Sequence, residues 1–274
     1  MILLVHSTKD LAGVNIAKTI HQRVQFTETG EVFQENPVYA AKVGNKQVTH
    51  ITLSEEPVYP QNLPESFPGA ELIVFVSRHR SQSGKPTLSV HVPGNFGEAG
   101  LGGLSRQVSV APAKAMQTAL RSLDRLKQEM QLDYEVSYEC THHGPSLCVP
   151  TMFEELGSSE KQWQDVQAAD VVGQAALDAI ASFSASNGSA VLGIGGLHYN
   201  SKFTAMALAG DAAFGHMIPK YALALVDLEM LRQCVGRTLE KVDCVVLDWK
   251  GIKGEDKPKL MPLVAELGLQ VRKV

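Results

Sequence analysis

Histidines follow four of the five buried strands that the sequence predicts, at the point where each strand ends, and an aspartate follows the fifth. In chain order these residues are His6, His79, the pair His142 and His143, His198, and Asp248. Ligands of open α/β sheets bind beyond the carboxyl ends of the strands, where the loops after parallel strands meet. Imidazole groups at that edge can bind a metal ion or carry protons. The pattern therefore predicts a catalytic site that several separate loops assemble.

Zinc is the metal that this set of side chains indicates. A catalytic zinc ion takes about three protein ligands, mainly imidazoles and carboxylates, and keeps one position for water. The candidate ligands are His142, His143, His198, His91 and His216. Glu139, Glu154, Glu155 and Asp248 are the carboxylates that we group with them. The chain has no H-E-x-x-H motif and no cysteine-zinc pattern. His21 and His50 stand outside the clusters of candidate residues, and we assign them no role.

Composition and charge exclude several classes of protein. The chain has 274 residues, with 25 Lys and Arg against 29 Asp and Glu, so its net charge is −4. This balance excludes a uniformly cationic nucleic-acid binder but leaves room for a local basic patch. No apolar run approaches the ~20 residues of a membrane helix. The apolar start lacks the features of a signal peptide, and four scattered cysteines favour a reducing compartment. We expect a cytoplasmic monomer without membrane partners.

Two glycine-rich stretches do not match known nucleotide-binding motifs. Residues 93–103 and 193–196 contain neither G-x-G-x-x-G nor a Gly-Lys-Ser/Thr ending. The G-x-S-x-G elbow of serine hydrolases is also missing. The sequence therefore predicts neither a nucleotide cofactor nor a serine hydrolase.

The hydrophobic pattern predicts the elements that must position the candidate residues. Apolar runs predict strands at 1–5, 72–77, 88–92, 134–140, 190–194, 244–247 and 270–274, and a hairpin over 36–53 that turns at Gly44 and Asn45. Helical periodicity predicts helices at 11–24, 112–130, 165–184, 228–235 and 258–267. Strands that alternate with helices predict an α/β protein, a three-layer α/β/α sandwich with a mixed, mostly parallel sheet. We expect a single domain over 1–274.

Basic side chains form two local clusters on this acidic chain. Arg78, Arg80 and Lys85 form the first, and residues 250–274 carry six basic residues against three acidic ones. Two basic clusters beside a cleft suit a phosphate backbone. We therefore expect phosphate contacts from Arg78, Arg80, Lys250, Lys253 and Lys257.

Seven blocks of the sequence resemble the archaeal and plant-type D-aminoacyl-tRNA deacylase family. They are residues 6–13 (HSTKDLAG), 77–81 (SRHRS), 92–97 (VPGNFG), 139–145 (ECTHHGP), 150–158 (PTMFEELGS), 193–199 (GIGGLHY) and 214–221 (FGHMIPKY). The resemblance implies hydrolysis of the ester between a D-amino acid and the 3′-terminal adenosine of tRNA. It also implies zinc dependence and an α/β/α core similar to that of the phosphorylase and peptidyl-tRNA hydrolase group.

The chemistry of ester hydrolysis suggests roles for the remaining candidates. Glu154 or Glu155 is the expected general base, and His79 a further proton-transfer group. Thr141 and Asn95 are expected to orient the ester. The backbone of Gly195 and Gly196 is expected to form a wall that rejects one hand of the amino acid, because it approaches a ligand without a side chain.

Three alternatives stay open at this level. A zinc exopeptidase or aminoacylase on a similar core would act on amides and need no nucleic acid. A non-catalytic tRNA-binding module would bind without turnover, but it would not explain histidines at four strand ends. A metal-free mechanism would use an imidazole and an asparagine to position water.

Overall fold

The computed structural model describes residues 1–184 and 188–274. The strands are β1 Ile2–Ser7, β2 Thr27–Phe33, β3 Asn36–Val43, β4 Lys46–Leu53, β5 Leu72–Arg78, β6 Thr87–His91, β7 Glu135–Tyr138, β8 Thr151–Gly157, β9 Ser189–Ile194, β10 Phe214–Ile218, β11 Lys241–Leu247 and β12 Gln270–Lys273. The helices are α1 Leu11–Arg23, α2 Leu63–Ser66, α3 Ala113–Glu129, α4 Glu160–Trp163, α5 Val166–Ser182, α6 Ser201–Ala209, α7 Leu228–Gly236 and α8 Lys257–Ala265. Short 3₁₀ helices span Lys220–Leu225 and Trp249–Gly251.

Eight strands form a mixed sheet in the order β2-β3-β4-β1-β5-β8-β6-β7. β4, β1, β5 and β8 run parallel, so their carboxyl ends lie at one edge, whereas β6 and β7 run in the opposite direction. The predicted hairpin is the pair β3 and β4, and Gly44 has a positive φ of 58° at its turn. The class predicted from the sequence, α/β with a mixed and mostly parallel sheet, is confirmed.

A second sheet is the main departure from the predicted single sheet. β10, β9, β11 and β12 pair in that order, and all three pairings are parallel. The apolar core nevertheless continues from one sheet to the other, since Phe203, Phe214 and Val246 share a cluster of buried residues with Ile2 and Val74. This continuity favours the predicted single domain over 1–274, which stays a prediction until unfolding is measured.

The first helix is fixed against the large sheet by an aspartate at its start. Asp10 caps α1 by accepting a hydrogen bond from the Gly13 N–H at 2.9 Å, and its second oxygen accepts one from the Arg78 N–H at 2.8 Å. A Cβ on Gly13 would lie 2.7 Å from the Val76 carbonyl, so a glycine lets α1 approach β5 closely. The carboxyl ends of β1 and β5 are thereby held together.

Sequence periodicity did not predict six of these strands and α-helices, namely β2, β8, β10, α2, α4 and α6. β8 is the one that matters for the site, because two adjacent glutamates interrupt its apolar run and make it look like the polar end of a helix. All seven of its residues are buried. Among the described residues, no helix is long and apolar enough to cross a membrane.

Candidate active site

A cavity of about 670 Å³ opens at the carboxyl ends of β5 and β8 and beside the loops that follow β7 and β9. Side chains from five of the seven blocks line it. They include His79, His142, His143, Glu155, His198 and Tyr199. The histidines after β5, β7 and β9 therefore meet at one cavity, whereas His6 at the end of β1 does not line it. The expected shared edge of parallel strands is not the reason, because β7 runs opposite to β5 and β9 belongs to the second sheet.

The two glutamates of β8 lie on opposite faces of the sheet, because successive side chains alternate along a strand. Glu155 lines the cavity and accepts a hydrogen bond from the Ser77 hydroxyl at 2.7 Å. Glu154 is completely buried, and neither of its carboxylate oxygens has a hydrogen-bond partner among the described residues. Burial, with a smaller effect of Asp178, raises the pKa of Glu154 well above its usual value. Of the two, only Glu155 can reach a substrate.

His79 lies between two carboxylates. Its Nδ1 is 3.2 Å from Glu139 Oε1 and 3.5 Å from Glu155 Oε2, and its Nε2 hydrogen-bonds the Tyr199 hydroxyl. Burial by itself would lower the pKa of His79, but the carboxylates of Glu139 and Glu155 outweigh it and raise the pKa to about 10. The His79 ring is therefore protonated at neutral pH and can donate a proton.

Glu139 is a buried carboxylate that joins the histidines of three loops. Its Oε2 is 2.8 Å from His198 Nε2 and 3.6 Å from His142 Nε2. Burial would raise the pKa of Glu139, but hydrogen bonds from His198 and His79 keep it well below the usual value. The carboxylate is thus charged, and the imidazoles around it compensate its burial.

His142 and His143 each hold one ring nitrogen on a backbone carbonyl. His142 Nδ1 donates to the Cys140 carbonyl at 2.9 Å, and His143 Nδ1 donates to the Gly144 carbonyl at 2.6 Å. These bonds leave the Nε2 lone pair of each ring free for a metal ion. Burial lowers the pKa of both rings, to about 4 for His143, so both are neutral at pH 7.

His91 is fully buried, and in the described part of the chain neither ring nitrogen has a hydrogen-bond partner. Its ring centroid lies 4.3 Å from that of His142 and 4.8 Å from that of His143. An unpartnered buried imidazole is costly, and a metal ion shared with its neighbours would supply the missing partner.

Three groups of side chains bring their donor atoms within 4.8 Å of one another. They are His91 with His142 and His143, Glu139 with His142 and His198, and His79 with Glu139 and Glu155. The donors are imidazole nitrogens and carboxylate oxygens, the ligands of catalytic zinc. The orphaned nitrogens of His91 fit the same interpretation, so the residues present fit a bound metal ion.

Three of the predicted site residues, His216, Thr141 and Asn95, use their polar atoms in hydrogen bonds outside the cavity. His216 Nε2 donates to the carbonyls of Ser109 and Arg237 at 3.1 Å, and its Nδ1 bonds the Thr141 hydroxyl at 3.2 Å, so no ring nitrogen is left for a metal. Burial lowers the pKa of His216 to about 4. Asn95 donates to the Gly102 carbonyl at 2.9 Å and ties the glycine-rich loop. These three groups shape the loops around the cavity and do not line it.

Gly195 and Gly196 face the protein interior and not the cavity. Both have positive φ, 106° and 78°. A Cβ on Gly196 would lie 2.3 Å from Asn200 Nδ2, and one on Gly195 would lie 2.7 Å from a side-chain carbon of Ile252. Glycine is needed here for the turn and for close packing, which is a different reason from the predicted wall against one enantiomer.

The basic residues divide between the cavity and the second sheet. Arg78 and Arg80 line the cavity, and Arg78 pairs with Glu56 at 2.8 Å. Lys250 and Lys253 follow β11 and do not line the cavity. They lie close in sequence to Asp248, whose carboxylate would meet a Cβ on Gly196 at 2.9 Å.

Sequence reasoning missed several groups of the site. Glu139 was named among the nearby carboxylates but not selected, although its place in the block ECTHHGP three residues before His142 was a usable signal. Tyr199 and Tyr221 carried no signal of their own in the sequence, because neither belongs to a catalytic motif. His6 bonds His50 at 2.9 Å, and His50 bonds His21 at 2.7 Å, away from the cavity.

Comparison with known proteins identifies the family. Residues 66–272 match the family model described as D-aminoacyl-tRNA deacylase. The D-aminoacyl-tRNA deacylase of Thermococcus onnurineus is 37% identical over 276 residues, covering 98% of each chain, and that of Thermococcus kodakarensis is 38% identical over 274 residues. This chain belongs to the D-aminoacyl-tRNA deacylase family. Family membership favours the deacylase over an exopeptidase or a module that only binds tRNA.

One solved structure extends the likeness to the whole fold of this deacylase. The crystal structure of AF0625, a conserved protein of unknown function, superposes with a TM-score of 0.87 at 29% identity, covering 100% of this chain and 95% of that one. A methylthioadenosine nucleosidase from Campylobacter jejuni reaches a TM-score of only 0.44. The expected likeness to the phosphorylase group therefore stays a prediction.

Proposed function

We propose that this deacylase hydrolyses the ester between a D-amino acid and the 3′-terminal ribose of tRNA, with the aid of a zinc ion. The products are the free D-amino acid and tRNA that can be charged again. The observation that carries the proposal is the convergence of His79, His91, His142, His143 and His198 with Glu139 and Glu155 at one cavity, in a chain of this family.

The imidazoles of His91, His142 and His143 are the proposed zinc ligands, with Glu139 and His198 as a second set that shares His142. A zinc ion bound there would polarise the ester carbonyl and lower the pKa of a water molecule. The two neutral rings of His142 and His143 have free Nε2 lone pairs, and their Nδ1 bonds to backbone carbonyls fix the orientation of each ring.

Glu155 is the proposed general base. Its carboxylate is held by the Ser77 hydroxyl at 2.7 Å and faces the cavity, 3.8 Å from His91 Nε2. The imidazole rings of His79 and His91 beside it outweigh burial and lower its pKa to about 2, so it is ionised and able to accept a proton from the attacking water.

His79 and Tyr199 are the proposed source of the proton for the leaving ribose oxygen. The imidazolium of His79 donates through Nδ1 towards Glu139 and Glu155, and Tyr199 accepts from Nε2 and opens to the cavity. A proton taken up by Glu155 lies next to this ring, so a short chain of groups can return it to the leaving group.

Charged tRNA is a cytoplasmic molecule, and we propose the cytoplasm as the place of action. We propose in addition that the protein acts as a monomer without a nucleotide cofactor. Light scattering of the purified protein, with absorbance spectra to detect a bound nucleotide, checks both statements.

The decisive experiment uses matched D- and L-aminoacyl-tRNA with protein stripped of metal by a chelator. We expect hydrolysis of the D-substrate only, its loss after chelation, and its recovery on addition of zinc. His198→Ala should lose metal and activity while its circular dichroism is unchanged. His21→Gln, a half-buried histidine outside the site, should keep both. Equal hydrolysis of both enantiomers would reject the function, and full activity of metal-free protein would reject zinc.

A further inference from the structure

The side chain of Tyr221 is unusual for an aromatic residue at a buried cluster, because 61% of it is exposed. Its hydroxyl hydrogen-bonds His198 Nδ1 at 3.0 Å, so the ring is held at one end. The ring centroids of Tyr221 and His198 are 6.4 Å apart, with an angle of 28° between the planes. A flat apolar face is thus fixed next to a proposed zinc ligand and left open to solvent.

The segment that carries Tyr221 is tied to the site through its backbone. The Lys220 N–H donates to the Gly196 carbonyl at 3.0 Å, two residues before His198. Lys220 and Tyr221 begin the 3₁₀ helix Lys220–Leu225. The position of Tyr221 relative to His198 is therefore set by the loop after β9 and does not depend on the hydroxyl alone.

Lys220 adds a positive charge beside the ring. It takes part in none of the ion pairs formed within residues 1–184 and 188–274. Arg80 lines the cavity, is exposed and also lies outside those pairs. Cations outside ion pairs attract an anionic ligand, and the aromatic face of Tyr221, the next residue after Lys220, favours a planar apolar group.

Other apolar side chains on the two segments that carry His198 and Tyr221 are exposed. Leu197 is 61% exposed and directly precedes His198, and Leu225 is 50% exposed on the same short helix as Tyr221. Exposed apolar groups of this kind suit a ligand surface beside the His198–Tyr221 pair.

We infer that Lys220 and Tyr221 form a binding site for the terminal nucleotide of the RNA, with adenine stacked on the Tyr221 ring and its 5′-phosphate paired with Lys220. The inference rests on the proposed function and names the recognition element of its substrate. Unpaired bases are recognised by stacking on aromatic side chains, and phosphates by cations. In an aminoacyl ester, a single ribose separates the adenine from the bond that breaks. Tyr221 contacts His198 directly, so a base on its ring would lie at a matching short distance from the site.

The hydroxyl and the ring of Tyr221 can be tested separately. Tyr221→Phe keeps the ring and loses the bond to His198, whereas Tyr221→Leu loses both, so their difference isolates stacking. The substrates are D-aminoacyl-tRNA, D-aminoacyl-adenosine and the ethyl ester of the same D-amino acid, which has no base. Relative to Tyr221→Phe, we expect Tyr221→Leu to raise KM about 5- to 100-fold for the first two and to leave the ethyl ester unchanged.

Direct binding makes the test independent of turnover. Adenosine and AMP are titrated calorimetrically into the wild type and the variants. Tyr221→Leu should bind both more weakly than Tyr221→Phe, and Lys220→Gln should lose the preference for AMP over adenosine. Two exposed residues away from the site serve as controls: Val32→Ala on β2 and Lys18→Gln on α1 should match the wild type.

Several outcomes would overturn the inference. It fails if Tyr221→Leu and Tyr221→Phe bind AMP equally, if the ethyl ester suffers as much as the nucleotide substrates, or if Lys220→Gln still prefers AMP. Failure of the proposed function has a different signature, since the wild type would then not hydrolyse D-aminoacyl-tRNA although it bound AMP through Tyr221.

Discussion

Among single residues, the orientation of one side chain decides which of two adjacent glutamates is available for chemistry. Glu154 and Glu155 have the same pattern of neighbours in the sequence, but a strand turns them to opposite faces. Glu155 faces imidazoles and a serine, whereas Glu154 faces apolar groups and has no hydrogen-bond partner within the described residues. The same alternation that builds the sheet therefore separates a proposed general base from a buried acid.

This separation gives a prediction for a matched pair of variants. Glu155→Gln should lower kcat about 10²- to 10⁴-fold, because the proposed base is removed, whereas Glu154→Gln should stay within a few-fold of the wild type. Steady-state hydrolysis of D-aminoacyl-tRNA measures both. Zinc content, determined in parallel, separates loss of the base from loss of metal. Equal damage by the two substitutions would contradict the assignment of Glu155.

Among the helices and strands, α1, β1 and β4 contribute a chain of three histidines that the site does not use. His6 on β1 and His21 on α1 both bond His50 on β4, and the rings of Phe26 and Tyr39 pack around His21 and His50. Burial and, secondarily, the charge of His21 lower the pKa of His6 to about 4. Burial, with His6 and His21, lowers the pKa of His50 well below its usual value. These histidines are therefore uncharged at pH 7.

Acid should destabilise the protein through this chain. A histidine whose pKa is lower in the folded state is protonated first in the unfolded state, so the free energy of unfolding falls as the pH drops from about 6.5 towards 4. His50→Gln removes one such group and should reduce the slope of this free energy with pH by up to about 1.4 kcal/mol per pH unit. Urea unfolding between pH 7.5 and 5 measures the slope. An unchanged slope would show that His50 is not protonated on unfolding.

For the molecule as a whole, the difficulty is that an acidic protein must bind a polyanion. The net charge of −4 opposes this association, so local basic groups must supply the attraction. Arg80 lines the cavity, Lys220 precedes Tyr221, which bonds the cavity residue His198, and Lys250 and Lys253 follow β11 on the second sheet. We expect the first pair to act near the end of the acceptor strand and the second pair to contact phosphates further along it.

The salt dependence of binding tests the contribution of the second sheet. Replacing Lys250, Lys253 and Lys257 by alanine should reduce the slope of log affinity against log salt by about 0.7–0.9 for each phosphate that these lysines neutralise. Alanine at Lys18, Lys42 and Lys127 is the control, because it removes the same charge from elements outside the cavity and the second sheet. Tryptophan fluorescence or filter binding at several salt concentrations gives the slopes. Identical slopes for both triple variants would exclude the second sheet from tRNA binding.

Local patterns in the chain were enough to predict the class of the fold, the strands β1, β5, β6 and β9, and the loops that gather the histidines. Apolar runs and helical periodicity are local properties, and each block that carries the family resemblance is continuous. A single sequence is therefore enough to recognise them. The rule that loops after parallel strands share an edge pointed to histidines at the ends of β5, β7 and β9. It does not explain why they meet, because β7 runs opposite to β5 and β9 belongs to the second sheet.

Contacts between distant parts of the chain decide which of the candidate polar side chains come together at the cavity. His142 and His143 both face the cavity because each Nδ1 is held on a backbone carbonyl, which no periodicity predicts. His216, Thr141 and Asn95 stand in the same blocks of sequence, but contacts with other segments occupy their polar atoms. The role of a polar side chain depends on which partners already satisfy it, and those partners are brought together only when strands far apart in the sequence pair and pack.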